Sequence, residues 1–149
     1  MPSLVPRTIM IALLAVFALA AVALAGGKQD ILAGNQAAQA GQFKKAVALY
    51  SQAIASGQLK PANLAVAYNN RGSARDDLGQ TKAALADYAQ AIAIDPGYAE
   101  AYYNRSYAYE KLKQWGKALT DAVKAAELQP NDEVYLQREF YLRGKAKLN

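Results

Sequence analysis

Residues 65–98 read AVAYNNRGSARDDLGQTKAALADYAQAIAIDPGY, and residues 99–132 read AEAYYNRSYAYEKLKQWGKALTDAVKAAELQPND. Laid one over the other, the two stretches agree in register. Gly72 falls on Ser106, Ala84 on Ala118, Tyr88 on Ala122, Ala91 on Ala125 and Pro96 on Pro130. An earlier copy carries Gly34, Ala46, Tyr50 and Ala53; 38 residues separate Gly34 from Gly72, and 34 separate Gly72 from Ser106. A period in this range marks a stacked solenoid, in which each unit buries its apolar face against the next.

Each copy divides into two helical patterns. In the third, Tyr102, Arg105, Ser106 and Tyr109 share one helical face, and Ala118, Ala122, Ala125 and Ala126 share another, by the i, i+3, i+4, i+7 rule. The break between them, Lys113-Gln114-Trp115-Gly116, is matched by Gly79-Gln80-Thr81 and Gly41-Gln42-Phe43. Pro96 and Pro130 should end the second helices, because the residue before proline is pushed out of the helical region. Gly34, Gly72 and Ser106 sit where the first helix of a pair should cross the second, opposite Ala46, Ala84 and Ala118. Small side chains there allow close approach, and Tyr50, Tyr68, Tyr88, Tyr102 and Tyr109 fill the space beside them. Arg71 and Asp87 are 16 residues apart, as are Arg105 and Asp121, which predicts a repeated ion pair within or between units.

Outward from the repeats, residues 56–64 make a longer exit from the first unit, and Pro61 should open the next helix. Residues 133–147 form one more helical pattern, with Val134, Leu136, Phe140 and Leu142 among polar neighbours. We read it as a capping helix with a polar outer face, since terminal units need one for solubility; a partner-binding helix is the second reading. At the other end, Ile9 to Ala25 carries no charge and closes in Ala23-Leu24-Ala25, a small-x-small site. That is the layout of a secretory signal peptide over residues 1–25. The alternative is a retained membrane anchor, although 17 apolar residues are at the short end of what spans a bilayer. The expected location is therefore periplasmic or secreted, with an inner-membrane anchor facing the periplasm as the alternative.

Composition narrows the chemistry. The 149 residues suit one domain. Seventeen basic and 12 acidic residues give a net charge of +5, scattered rather than gathered on one face, which argues against nucleic acid. There is no His and no Cys. That excludes a Ser-His-Asp triad, a cysteine nucleophile and most zinc sites. Asp76 and Asp77 are adjacent, so on a helix they do not converge on one point. No glycine-rich phosphate loop occurs. We expect no enzyme activity, no cofactor and no metal.

The spacing Tyr68…Gly72…Ala84…Tyr88…Ala91…Pro96, repeated as Tyr102…Ser106…Tyr109…Ala118…Ala122…Ala125…Pro130, resembles the tetratricopeptide repeat (TPR), over roughly Gly27 to Asp132. Ser106 replaces the usual Gly, and Ala122 and Arg75 stand where aromatics are usual. The resemblance implies an all-α protein. Its fold would be an α-α superhelix, a right-handed TPR solenoid over residues 27–149. Three helix-turn-helix repeats (about 27–60, 65–98 and 99–132) precede the capping helix at 133–147. In that family the first helix of each repeat lines the concave surface. By resemblance the lining is Ile31, Asn35 and Gln39, then Asn69, Asn70, Ser73 and Asp77. Tyr103, Asn104, Tyr107 and Lys111 follow, with Gln137 and Arg138 from the cap. Family members that hold the carboxylate tail of heat-shock chaperones use a clamp of two Lys, two Asn and one Arg. Here Asn35 and Asn70 match, while Ile31, Glu100 and Asn104 stand at the charged positions, so a chaperone-tail receptor is not expected.

Asn can hydrogen-bond an extended backbone in both directions, and Tyr offers apolar area with a polar tip. The expected function is a binding module of a small exported bacterial protein. Its groove would take a peptide or helix of an envelope partner, with no nucleic acid, and with membrane contact only through an uncleaved N-terminal segment. Three alternatives stand beside it. Asn and Tyr merely solvate an inner face. The stack is a self-associating scaffold that docks by its convex face or cap. Or it is an accessory domain of an enzyme.

Overall fold

The computed structural model describes residues 26–147. The segment read as a signal peptide or anchor, 1–25, lies outside them. Seven helices follow one another: α1 (residues 26–39), α2 (Phe43–Ala55), α3 (Pro61–Asp77), α4 (Thr81–Ile94), α5 (Ala99–Lys111), α6 (Trp115–Leu128) and α7 (Glu133–Lys147). No strand occurs among the described residues, and no helix there is long and apolar enough to cross a membrane. Neighbouring helices pair in chain order, and α3 also touches α5, which is the connectivity of a stacked array.

The turns inside each repeat have a common backbone. Gly79 N–H donates to the Asp76 carbonyl at 3.0 Å, and Gln80 N–H to the Arg75 carbonyl at 2.9 Å. This is a Schellman ending, which needs a left-handed residue after the helix. Gly79 supplies it with φ 74°; Lys113 takes the same place in the next repeat with φ 57°. Pro61 begins α3, and Pro96 and Pro130 follow the ends of α4 and α6.

Three apolar clusters sit in series, centred on Ala46, Tyr50 and Ala53, on Ala84, Tyr88 and Ala108, and on Ala118, Ala122 and Leu142. The crossing positions are as close as their residue types suggest. A Cβ on Gly34 would lie 2.6 Å from Cε1 of the buried Tyr50. In the third repeat Ala122 takes the register position of Tyr88, and a side chain with a Cβ, Ser106, is accommodated there fully buried. The two departures from the repeat pattern thus compensate each other.

The predicted ion pairs form within repeats. Arg71 Nε and Nη2 donate to both Asp87 oxygens, and Arg75 adds a third bond at 2.8 Å. Arg105 grips Asp121 by the same two-pronged geometry at 2.7 and 2.8 Å. Each pair locks a first helix to its second.

The cap differs from expectation. Leu142 is fully buried against α6, but Leu136 and Phe140 stand exposed, Phe140 to 81%. In register they occupy the positions of Tyr102 and Ser106, the face that a second helix covers in every earlier repeat. No described second helix covers α7, so its outer face carries exposed Leu136 and Phe140 beside the Glu139–Arg143 ion pair, rather than being polar throughout. Ile31 is a further correction: it is 8% exposed and belongs to the first core cluster, not to the groove lining.

Candidate protein-interaction groove

Helices α1, α3, α5 and α7 lie side by side and share one face. Side-chain bonds tie each to the next. Asn70 donates to Asn35 Oδ1 at 3.0 Å, linking α3 to α1, and Tyr50 OH donates to the same oxygen at 2.7 Å. Asn104 donates to Asn69 Oδ1 at 3.0 Å, and Lys111 to Asp76 at 2.7 Å, linking α5 to α3. Arg138 donates Nε to Ser106 Oγ at 2.9 Å and Nη1 to Glu110, linking α7 to α5.

Two hollows open on this face. The first, about 220 Å³, is lined by Asn35, Asn69, Asn70, Ser73, Asp77 and Glu100, among others. The second, about 350 Å³, is lined by Tyr103, Tyr107, Glu110, Val134, Gln137, Arg138 and Tyr141. The face is therefore polar and acidic at one end and tyrosine-rich at the other. Tyr103 meets both Tyr107 and Tyr135 edge-on, with ring centroids 5.1 and 5.2 Å apart. The Arg138 guanidinium lies 3.5 Å from the Tyr107 ring centroid. It fills the space a foreign cation would want over that ring. Burial, and then the bond to Tyr107 OH, push the Tyr103 phenol up to about 12, so it stays protonated at neutral pH.

The structure distributes the predicted lining residues unevenly. Asn35, Asn70, Ser73 and Asp77 surround the first hollow, and Tyr103 and Tyr107 the second. Asn69 borders the first hollow but is 1% exposed. Its amide donates to Asn70, Tyr98 and Glu100, so it braces the lining from behind. Asn104 is half-buried and bonded to Asn69, while Lys111 is exposed and committed to Asp76. Arg138 is 5% exposed and organises its neighbours rather than projecting into the groove. Sequence reading passed over Glu110 and Tyr141 as lining residues. A signal existed for Tyr141, which falls one 34-residue period after the predicted lining residue Tyr107.

A chain of paired helices that cross-links its first helices and leaves their common face furrowed has the architecture of the helical solenoid class. A family model described as TPR repeat matches residues 72–113, and another described as tetratricopeptide repeat matches residues 99–132. Residues 72–132 are thus matched as tetratricopeptide repeats. Among solved structures it is similar to the Arabidopsis OM64 TPR domain, at 28% identity and TM-score 0.76, over 83% of this chain and 98% of that one. It is also similar in fold to the first TPR of Spaghetti (RPAP3) bound to the HSP90 peptide SRMEEVD, at 23% identity and TM-score 0.74, over 82% of this chain and 94% of that one. A third similar fold is the TPR2B domain in the pHsp70 complex of yeast Sti1, at 23% identity and TM-score 0.71, over 80% and 98%. Comparison with curated protein sequences gave no match.

Proposed function

We propose that this protein is an adaptor whose concave groove binds an extended segment or a helix of a partner in the cell envelope. The observation that carries the reading is the furrowed face itself: Asn35 of α1, Asn70 and Ser73 of α3, Tyr103 and Tyr107 of α5 and Tyr141 of α7 border two hollows on it. Similar folds bound to HSP90 and Hsp70 segments support a peptide as the occupant. The occupant here differs in chemistry. The HSP90 peptide carries acidic residues, whereas Ile31, Glu100 and Asn104 leave this groove without the clamp's cations. The envelope location rests on the apolar run ending at Ala25, which would be removed by cleavage before Gly26.

The test is site-specific photocrosslinking. A photoreactive residue at Ser73 or at Tyr107 should capture one partner from envelope extract, and one at the exposed Lys82 should not. Partner bands from Lys82 alone would refute groove binding.

One observation favours a second reading, a scaffold that self-associates through its cap. Phe140 and Leu136 are exposed on α7, and a hollow of about 670 Å³ opens beside Arg143 between α5, α6 and α7. Sedimentation that shows dimers in the parent chain and monomers in Phe140→Asp would favour this reading.

A further inference from the structure

Arg138 is 5% exposed, and its three nitrogens fare differently. Nε donates to Ser106 Oγ at 2.9 Å and Nη1 donates to Glu110. Nη2 is sealed from solvent and meets no acceptor among the described residues. A buried donor left unmade is costly, so Nη2 calls for an acceptor from outside the chain. Water serves in the free protein, and a carbonyl of a bound segment serves as well.

Arg138 lines the second hollow, about 350 Å³, together with Tyr103, Tyr107, Tyr141 and Val134. The hydroxyl oxygens of Tyr103 and Tyr107 lie 3.2 Å apart. One donates to the other, which leaves the second O–H proton free. The strong acceptor here is already engaged: Glu110 receives Tyr141 on one oxygen and Arg138 on the other. At the rim, the exposed Gln137 amide can turn to give or to take. The unused capacity is therefore mainly that of donors, set among aromatic walls. Charge narrows the guest further. Arg138 and Glu110 cancel each other. A foreign cation finds the Tyr107 ring covered by the guanidinium at 3.5 Å, and a carboxylate on Arg138 would crowd Glu110.

We propose that this hollow receives a proline-rich segment of the partner in the polyproline II conformation. This rests on the concave face being the binding face, as argued above. Proline is the residue that brings a carbonyl and no N–H. A polyproline II backbone makes no internal hydrogen bonds, so its carbonyls are free, and aromatic-lined grooves hold its rings. The free phenol takes one carbonyl. Nη2 takes another as Tyr107, which is 40% exposed, tilts off the guanidinium. An ordinary extended segment brings N–H groups too, and for these the hollow offers little beyond the Gln137 amide. A segment already held in one conformation also loses less freedom on binding.

The experiment uses the full chain and three fluorescent, end-blocked nonapeptides, PPAPPAPPA, SSASSASSA and PPEPPEPPE, read by anisotropy. The first should bind about tenfold or more tightly than the second and at least as tightly as the third. Because Arg138 and Glu110 cancel, its affinity should change little with salt. Tyr103→Phe with Tyr107→Phe keeps the rings, removes the hydroxyls and should weaken it about fivefold. Tyr107→Ala should abolish the preference, and both variants should keep their helical circular dichroism. Equal or tighter binding of SSASSASSA would overturn the proposal, and so would tighter binding of PPEPPEPPE. A proline preference that survives Tyr107→Ala, or no binding by any probe, also overturns it. Partner capture by a photoreactive residue at Ser73 separates the two levels. Where capture succeeds, each of these failures strikes the proline assignment alone; where capture fails too, the groove reading falls with it.

Discussion

A Cβ on Gly72 would stand 2.7 Å from Cε1 of Tyr88, a ring that is 2% exposed. The same relationship joins Gly34 to Tyr50 one repeat earlier. The ring cannot retreat, because it is packed in the middle cluster with Ala84 and Ala108. Gly72→Leu should therefore overpack the crossing and cost about 1–3 kcal/mol or more. Lys82→Leu, at an exposed site, should leave the midpoint nearly unchanged. Urea unfolding of the two variants checks this, and equal small shifts would refute the close crossing.

The two interhelical ion pairs should differ in cost when broken. Asp87 holds two guanidinium groups and Asp121 holds one. Asp87→Ala strands Arg71 and Arg75, both mostly buried, so its loss should be about 2–4 kcal/mol, against about 1–2 kcal/mol for Asp121→Ala. Denaturant midpoints of the two variants give the ranking. A larger loss for Asp121→Ala would contradict it.

Alkaline pH should unfold the protein through its tyrosines. Burial raises the phenols of Tyr50, Tyr88 and Tyr98, and Tyr103 is pushed up to about 12. A raised pKa means that the folded state holds protons which the unfolded state has released. Stability is then fully present below about pH 10 and falls as pH climbs through the folded values. Ultraviolet titration of phenolate should show a set of tyrosines ionising only together with loss of helical signal. Uniform titration near pH 10 in the folded state would show the rings to be open to solvent.

Binding should depend on Tyr107 more than on Asn70. Tyr107 is exposed to 40% and borders the larger groove hollow, and tyrosines carry a large share of the energy in such surfaces. Once a partner is in hand, Tyr107→Ala should weaken it by about 1–2 kcal/mol or more. Asn70→Ala removes the bond to Asn35 and should cost about 0.5–1.5 kcal/mol. Lys124→Ala, on α6 and paired with Glu127, is the control and should leave affinity alone. Calorimetric titration of the three variants decides it. Sensitivity at Lys124 alone would move the interface to the outer side.

Register, helix order and ion pairs were legible because repetition reports each of them twice. Gly72 over Ser106 and Asp87 over Asp121 align without any structure. The groove was less legible, since its lining depends on neighbours along the stack rather than along the chain. Ile31 and Asn69 hold the same register position, but one enters the core and the other is sealed beneath Tyr98 and Glu100. Polarity alone did not separate a residue that faces a partner from one that supports the wall. Phe140 was misjudged for a related reason. Its exposure follows from the lack of a described second helix beside α7, which no local pattern records.

The bonds Asn70–Asn35, Asn104–Asn69 and Arg138–Ser106 have a mechanical meaning. A coil of stacked helices is a spring, and this one is stitched along its inner edge at every step. Tension applied to its ends should open the outer edge first, like a hinged ruler unbending against its pins, while the pitch of the inner edge holds. A guest that needs two footholds one coil apart thus finds them at a spacing set before it arrives.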